Sequence, residues 1–301
     1  METQNQLLLE GKTVVISGAN AGIGKETARE IAKMGATVVL ACRNLDKANK
    51  AAQDIKDSAG SIKVKIVQID LSDLASVKKA SQEILEKYPL IEVLINNAGG
   101  IWSTFQKSAQ GFELTFAVNH LGPFYLTNLL IDRVISSGPA RIINVSSIAH
   151  RGARKNWSLN LVDGSGRFSS SQAYAMSKLA NIHFTRALVK RLSSKNITDI
   201  TVNSLHPGPV RSGFGMDGDL KGLIGIGNKL IRPFEISAAA GARTSIYLAS
   251  SDEVEGKTGG YYAHKKLSPV SSRASNETES EKLWKLSEDL IRESGFELNE
   301  F

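Results

Sequence analysis

The chain has 301 residues, 42% hydrophobic and 22% charged, which gives enough apolar material for a large core and too little charge bias for disorder. Its formal net charge of +7 is uneven, because residues 276–301 hold eight acids against three bases and the remainder is correspondingly more basic. No dense Lys/Arg block and no nucleic-acid motif accompany that charge, so a solvated basic surface is expected and nucleic acid is not expected as a partner.

The opening METQNQLLLEGK has neither the basic n-region nor the apolar h-region of a signal peptide. No stretch reaches the roughly 18 consecutive apolar residues of a transmembrane helix, so the expected location is cytoplasmic or peripheral at a membrane surface. A β-branched run at 13–16 predicts the first strand, and Ser17-Gly18-Ala19-Asn20-Ala21-Gly22-Ile23-Gly24 follows it directly, before the helical KETAREIAKMG. Glycines so placed let the backbone turn tightly and approach a pyrophosphate, while the helix N-terminus attracts the anion. A plain strand-to-helix turn is the alternative, but the position between strand and helix is the context a dinucleotide site requires.

A second strand at 37–40 leads into Cys42 and Arg43. A lone cysteine cannot form an internal disulfide, and no Cys/His cluster has zinc spacing, so no metal is expected. In the usual dinucleotide fingerprint an acid ends this strand and binds the ribose hydroxyls. Arg43 instead offers a fork of donors suited to a 2′-phosphate, which favours NADP over NAD, and Lys25 either adds charge nearby or points to solvent. Further strands are predicted at 64–69, 93–95, 141–145 and 200–202, with helix-length segments between them. Continuous apolar strands alternating with helices predict a single-domain α/β fold, a Rossmann-type doubly wound parallel sheet with helices on both faces. Its cofactor half spans about 10–150 and its active-site and substrate half about 151–301.

Ser146 and Ser147 end the fifth strand, where ligands collect in open α/β sheets. A hydroxyl there can donate to a carbonyl oxygen, although serine also caps helices and forms turns, and only one of the two need be chemical. Tyr174 and Lys178 stand four apart in the helical AYAMSKLANIHFTRALVKRL and share a face. A phenol titrates near about 10, and a neighbouring ammonium is expected to lower that value. Beyond Pro207 the pattern loosens into a glycine-rich and apolar stretch, about 209–236, which reads as a substrate loop. Residues 237–250 and 259–262 predict a last helix and strand. The tail is an amphipathic helix, with Leu283, Leu286, Leu290 and Ile291 at helical spacing and Thr278 with Glu281 as its expected capping box.

Taken together, these residues resemble the short-chain dehydrogenase/reductase family. SGANAGIG is similar to its glycine motif, NNAG (96–99) to its fourth-strand motif, NVSS followed by Tyr174-x-x-x-Lys178 to its active site, and His206-Pro207-Gly208 to its proline-glycine motif. The resemblance implies that Gly18, Asn20, Gly22, Ile23 and Gly24 cradle NADP(H). It makes Tyr174 the general acid or base, with Lys178 its electrostatic partner and a ligand of the nicotinamide ribose. Ser147 would hold the substrate oxygen, and Asn119 in FAVNHLG would support a water-linked proton relay. Asp70 and Leu71 match the adenine position, Asn97 the position near its ribose, and Val210 the backbone that meets the nicotinamide amide. Ser17 stands where threonine is commoner, and both carry a hydroxyl.

The 27-position spacing from Ser147 to Tyr174, together with YAMSKLANIHFTRAL and KLWKLSEDL, resembles the retinol dehydrogenase-like branch. That implies an NADP(H)-dependent oxidoreductase interconverting an apolar aldehyde or ketone and its alcohol, a retinal/retinol-like pair or another lipophilic carbonyl. A steroid, quinone or polyketide-like ketone under the same chemistry, and a catalytically idle NADP(H)-sensing interaction protein, stand as alternatives. Leu220, Leu223, Ile224, Ile226, Leu230, Ile231 and Phe234 form a substrate entrance, a membrane contact or a packed interface, and periodicity does not separate these. Trp102, Phe105 and Trp157 either flank the substrate or are simply buried. Family members commonly pair through their long helices, so the segments 111–137 and 170–194 are the candidates for a homodimer.

Overall fold

The computed structural model describes residues 8–154, 162–163, 167–209 and 236–300. Eight strands form a single sheet: β1 (Thr13–Ser17), β2 (Thr37–Cys42), β3 (Val64–Gln68), β4 (Val93–Asn96), β5 (Ala140–Val145), β6 (Ile200–Leu205), β7 (Tyr261–Ala263) and β8 (Lys266–Leu267). Their spatial order is β3-β2-β1-β4-β5-β6-β7-β8, parallel except for the antiparallel final pair. Every residue of β1, β4 and β6 is buried, as expected of strands covered by helices on both sides. Strands β1, β2, β4 and β6 begin where the apolar runs predict and extend one to three residues further at their carboxyl ends, with polar residues such as Ser17, Asn96 and Ser204 paired into the sheet; β5 begins one residue earlier than predicted, β3 stops one residue short at Gln68, and β7 begins two residues later.

One face carries α1 (Gly22–Lys33), α2 (Leu45–Ala59) and α6 (Ala238–Ser250) around a core that includes Ile16, Ile31, Leu40 and Ile55. The other carries α3 (Leu74–Lys87), α4 (Gly122–Ser136), α5 (Ser170–Ser194) and α7 (Glu277–Glu293), around Leu94, Phe124, Phe184 and Trp284. Full burial of one such large apolar side chain contributes roughly 2–3 kcal/mol, so the sheet is clamped from both sides. Helix starts follow their caps. The side chains of Asn44, Asp73 and Ser237 accept from first-turn amides of α2, α3 and α6, and α2 stops at Gly60, whose φ of +64° a side chain would resist.

Two features differ from the sequence expectation. The tail helix is capped by Asn276, which accepts from the Glu279 amide, and not by the expected Thr278 and Glu281; the chain enters the helix two residues earlier, with Glu277 and Glu279 in the first turn. The stretch before α4 is not regular helix: Leu114–Phe116 passes into a π-helical turn, Ala117–Leu121, before α-helix resumes at Gly122. A polar residue, Asn119, sits inside that turn, fully buried.

Helix α7 lies over the faces of α4 and α5. The Trp284 ring is 4.8 Å from that of Phe124, the Arg191 guanidinium stacks over it at 3.9 Å, and Arg191 also pairs with Glu281 at 3.0 Å. Asn299 and Asn128 then exchange hydrogen bonds that fasten the tail to α4. Part of the surface offered above for pairing between chains is thus covered by the chain's own C-terminus. Among the described residues no helix is long and apolar enough to cross a membrane.

Candidate active site

The neighbours β1 and β4 lead to successors on opposite sides of the sheet, β2 outward one way and β5 the other. Such a switch point leaves a crevice beyond the carboxyl ends of the strands. The glycine loop occupies it. Gly18 has φ of +69°, and a Cβ there would lie 2.8 Å from the Ala98 backbone; a Cβ on Gly24 would lie 2.5 Å from Asn97 Nδ2. No side chain caps the start of α1, and no acid stands in its first turn, so its first amides face the loop without a protein anion. These are the features of a phosphate cradle, and the residues present fit a dinucleotide.

Around this cradle, Ser17 Oγ accepts from the amides of Asn97 and Ala98, both at 3.1 Å, and Asn97 Nδ2 donates to Ser17 O at 2.9 Å. The loop is therefore tied to the end of β4, and a serine hydroxyl suffices for the tie. Cys42 lies buried beneath the loop, where burial pushes its thiol up to about 11 against the pull of the Ala19 and Asn20 amides. Arg43 follows and is exposed, with no carboxylate paired to it among the described residues. Lys25, by contrast, neither serves the cradle nor points freely outward: it donates to Asp54 at 2.6 Å and links α1 to α2. Asp70, half-buried after β3, accepts from the Ser72 amide and hydroxyl, and Leu71 is packed beneath Gly122.

Across the crevice, α5 presents Tyr174, Ser177, Lys178 and Asn181 at successive positions of one face. Ser147 Oγ hydrogen-bonds to the Tyr174 phenol, and Lys178 Nζ lies 5.7 Å from the centre of the Tyr174 ring. Lys178 Nζ and Asn181 Nδ2 both donate to Val145 O, at 3.1 Å each. Asn119 accepts from the Gly100 amide at 2.7 Å and donates to Gly100 O and Ser177 Oγ, each at 2.9 Å. Its amide oxygen and Lys178 Nζ both border Gly99, where any side chain would wedge between them.

The electrostatics depart from expectation. Burial holds the Tyr174 phenol above its ordinary value, and the group that draws it back down is the Ser147 hydroxyl rather than the Lys178 ammonium. Burial also pushes Lys178 down to about 8. The expected lowering of the phenol by its neighbour is therefore not found in the chain by itself, where the ammonium donates to Val145 O.

The short chain dehydrogenase family model matches residues 12–219, which include the cradle and all four of these side chains. The chain belongs to the short-chain dehydrogenase/reductase family. This short-chain dehydrogenase is 41% identical to retinol dehydrogenase 12 of Mus musculus over 283 residues, covering 94% of this chain and 87% of that protein. It is 39% identical to retinol dehydrogenase 14 of Homo sapiens, with the same shares covered. Among solved structures it superposes with a TM-score of 0.76 on an uncharacterized protein from Mycobacterium Paratuberculosis, 32% identical and covering 97% of this chain and 96% of that one. A protein of Beutenbergia cavernae solved with NADP at low occupancy, 25% identical, superposes with a TM-score of 0.66 over 86% of this chain and 97% of that one. The fold, the oxidoreductase class and the likeness to retinol dehydrogenases are thereby established.

Of the residues singled out from sequence, Tyr174 and Lys178 share one face of α5, with Ser147 bonded to Tyr174 and Asn119 bonded to Ser177; Gly18, Gly24 and Asn97 are in contact in the glycine loop that also holds Asn20, Gly22 and Ile23, Arg43 follows β2, and Asp70 and Leu71 follow β3. Val210, Trp157 and the apolar loop residues 220–234 lie outside the described residues. Ser146 is not chemical: its hydroxyl is buried and donates to Lys178 O at 2.6 Å. Trp102 packs on Gly100, and Phe105 meets Phe168 edge-on at 5.7 Å. Sequence reasoning passed over Ser177, which holds Asn119, and His150, buried behind Ser147. Their only signals were adjacency to Lys178 and Ser147.

Proposed function

We propose that the chain is an NADP(H)-dependent oxidoreductase of one domain that interconverts an apolar aldehyde or ketone and its alcohol, with retinal and retinol, the substrates its relatives are named for, as leading candidates. The observation that carries this reading is the Ser147–Tyr174 hydrogen bond set beside the cradle with Lys178 over the tyrosine ring. Gly18, Asn20, Gly22, Ile23 and Gly24 would hold the pyrophosphate, Asp70 and Leu71 the adenine, Asn97 its ribose side, and the exposed fork of Arg43 the 2′-phosphate. The backbone of Val210 would take the carboxamide end. The chemistry the cofactor supplies when bound is hydride transfer to or from the carbonyl carbon.

Ser147 Oγ donates to the substrate oxygen and orients it toward the Tyr174 phenol. Tyr174 gives its proton to that oxygen in reduction and takes one from the alcohol in oxidation. Lys178, buried and cationic at neutral pH, stabilises the phenolate that reduction leaves behind, and Asn119, fixed by Gly100 and Ser177, supports the route by which the proton is replaced. Exposed Ile148 and half-buried Trp102 beside this centre favour an apolar substrate.

The test is NADPH and NADH oxidation by purified protein with retinal and aliphatic aldehydes, beside Tyr174→Phe and Arg43→Ala. Turnover with NADPH should fall at least about a hundredfold in Tyr174→Phe while NADPH binding persists. In Arg43→Ala the NADPH KM should rise roughly tenfold or more and the NADH KM should stay put. A Tyr174→Phe protein that reduces aldehydes as well as wild type refutes the reading.

A further inference from the structure

Ser147 is held from behind by a histidine to which the reaction above gives no part. His150 follows it by three residues in the 3-10 turn Ile148–Gly152 and is 1% exposed. Its Nδ1 lies 2.8 Å from the Ser147 carbonyl oxygen, and its Nε2 lies 3.3 Å from the backbone nitrogen of Ser271. An amide N–H can only donate, so Nε2 carries the lone pair; in the neutral ring the proton then sits on Nδ1, where it donates to Ser147 O. The neutral form is the favoured one, since burial and the nearby Arg151 both hold the ring below the ordinary histidine value, against the pull of Ser147 O.

The ring is locked from a third side. The Tyr261 hydroxyl lies 3.4 Å from Nδ1, and the two rings meet edge to face with centres 5.1 Å apart. Tyr261 in turn stacks on His206, centres 5.7 Å apart and 28° from coplanar, at the start of the proline-glycine motif. The turn itself contributes two contacts: Ser147 Oγ accepts from the Ala149 amide at 3.2 Å, a contact that persists only while the intervening peptide plane keeps its orientation, and the His150 amide donates to Ser147 O at 3.1 Å, so the imidazole N–H is the second donor to that carbonyl. The carbonyl of that peptide is the group His150 holds. Rotation of the plane would break the Ala149 contact and leave the hydroxyl free to turn away from Tyr174.

We infer that His150 is a positioning residue for Ser147: by fixing the serine's carbonyl between β7 and the segment around Ser271, it sets the aim of the Ser147 hydroxyl at the Tyr174 phenol. The inference rests on the reading in which Ser147 holds the substrate oxygen. It also gives the C-terminal segment a part in the site, since Ser271 is 124 residues beyond Ser147 yet selects the tautomer that grips it.

A double-mutant cycle tests it, with decanal and NADPH as substrates. His150→Ala should lower kcat/KM for decanal on the order of tenfold, the loss of one buried hydrogen bond, and leave NADPH binding unchanged. In the Ser147→Ala background the same change should cost less than about twofold, because there is no hydroxyl left to aim. His150→Asn keeps an N–H near the place of Nδ1 and should restore most of the activity; His150→Gln, whose amide reaches the place of Nε2, should not. Equal losses in both backgrounds, or loss of NADPH binding in step with activity, would overturn the inference. Nitrogen-15 shifts of the wild-type histidines at pH 7 give a readout without turnover. A neutral Nδ1–H ring for His150 supports the inference, and an Nε2–H ring or an imidazolium overturns it even if Tyr174→Phe has refuted the proposed function.

Discussion

Lys178 is a lysine the fold would be more stable without. Its ammonium is 3% exposed, donates to Val145 O, and is pushed by burial from 10.5 down to about 8. That fall corresponds to about 3 kcal/mol of unfavourable free energy for keeping the protonated form inside. Replacing Lys178 by methionine removes the penalty, keeps the volume and gives up one hydrogen bond worth about 1 kcal/mol; Val145 O retains Asn181 as a donor. The variant should therefore be about 2 kcal/mol more stable than wild type at pH 7, though catalytically impaired. The sign with pH follows from proton counts. Below pH 8 both folded and unfolded states bind the proton, and the full penalty stands. Between about 8 and 10.5 the unfolded state binds more, so wild-type stability climbs with pH relative to the variant, and above that window the advantage of methionine is gone. Urea denaturation of both proteins at pH 6, 7, 8, 9 and 10 reads the difference directly. A gap that stays constant across that range, or a methionine variant less stable at pH 7, would refute the reasoning.

Gly24→Ala should cost about 1–3 kcal/mol in the same assay and weaken NADPH binding at least tenfold, since the new methyl would press on Gly18 O and Asn97 Nδ2, the contacts that shape the cradle. Unchanged affinity by fluorescence titration would show that the loop can yield. Trp284→Ala should lower stability by about 3 kcal/mol through loss of its contacts with Phe124, Phe184 and Arg191, while kcat/KM below the melting range stays within about twofold. Phe184 lies ten residues along α5 from Tyr174, roughly 15 Å by helix rise, so a large kinetic effect would mean that α7 influences the site after all.

The sheet and the residues proposed to react were legible because each is written in a local pattern. Continuous apolar runs such as TVVIS and TVVLAC mark strands covered on both faces, and SGANAGIG and Tyr174-x-x-x-Lys178 are contiguous. What stayed hidden depends on partners distant in sequence. Asn119 could be named by resemblance, but the π turn that faces it toward Gly100 and Ser177 has no periodicity of its own. The grip on His150 comes from Ser271 and Tyr261, more than a hundred residues away. Lys25 was ambiguous for the same reason, its partner Asp54 lying on the next helix. The Thr278–Glu281 motif has the spacing of a capping box and lost to Asn276 because where the chain enters α7 is set by how Leu283 and Trp284 seat on α5, not by the first turn alone.

The raised phenol and the lowered lysine also bear on the direction in which the proposed reaction is best served. Burial keeps Tyr174 protonated through the neutral range, and a protonated phenol is what carbonyl reduction consumes, whereas alcohol oxidation needs the phenolate. Reduction leaves that phenolate beside Lys178, which is cationic only below about pH 8. Reduction should accordingly proceed at a rate nearly independent of pH from 6 to 8 and decline above it, as the ammonium that stabilises the product form is lost. Oxidation should rise with pH over the same span, because each step upward favours removal of the phenolic proton. Steady-state kcat/KM in both directions from pH 6 to 10 tests the pair of slopes. A reduction rate that climbs with pH between 6 and 8 would mean that a base, not the neutral phenol, limits the reaction, and the assignment of Tyr174 as its proton donor would fall.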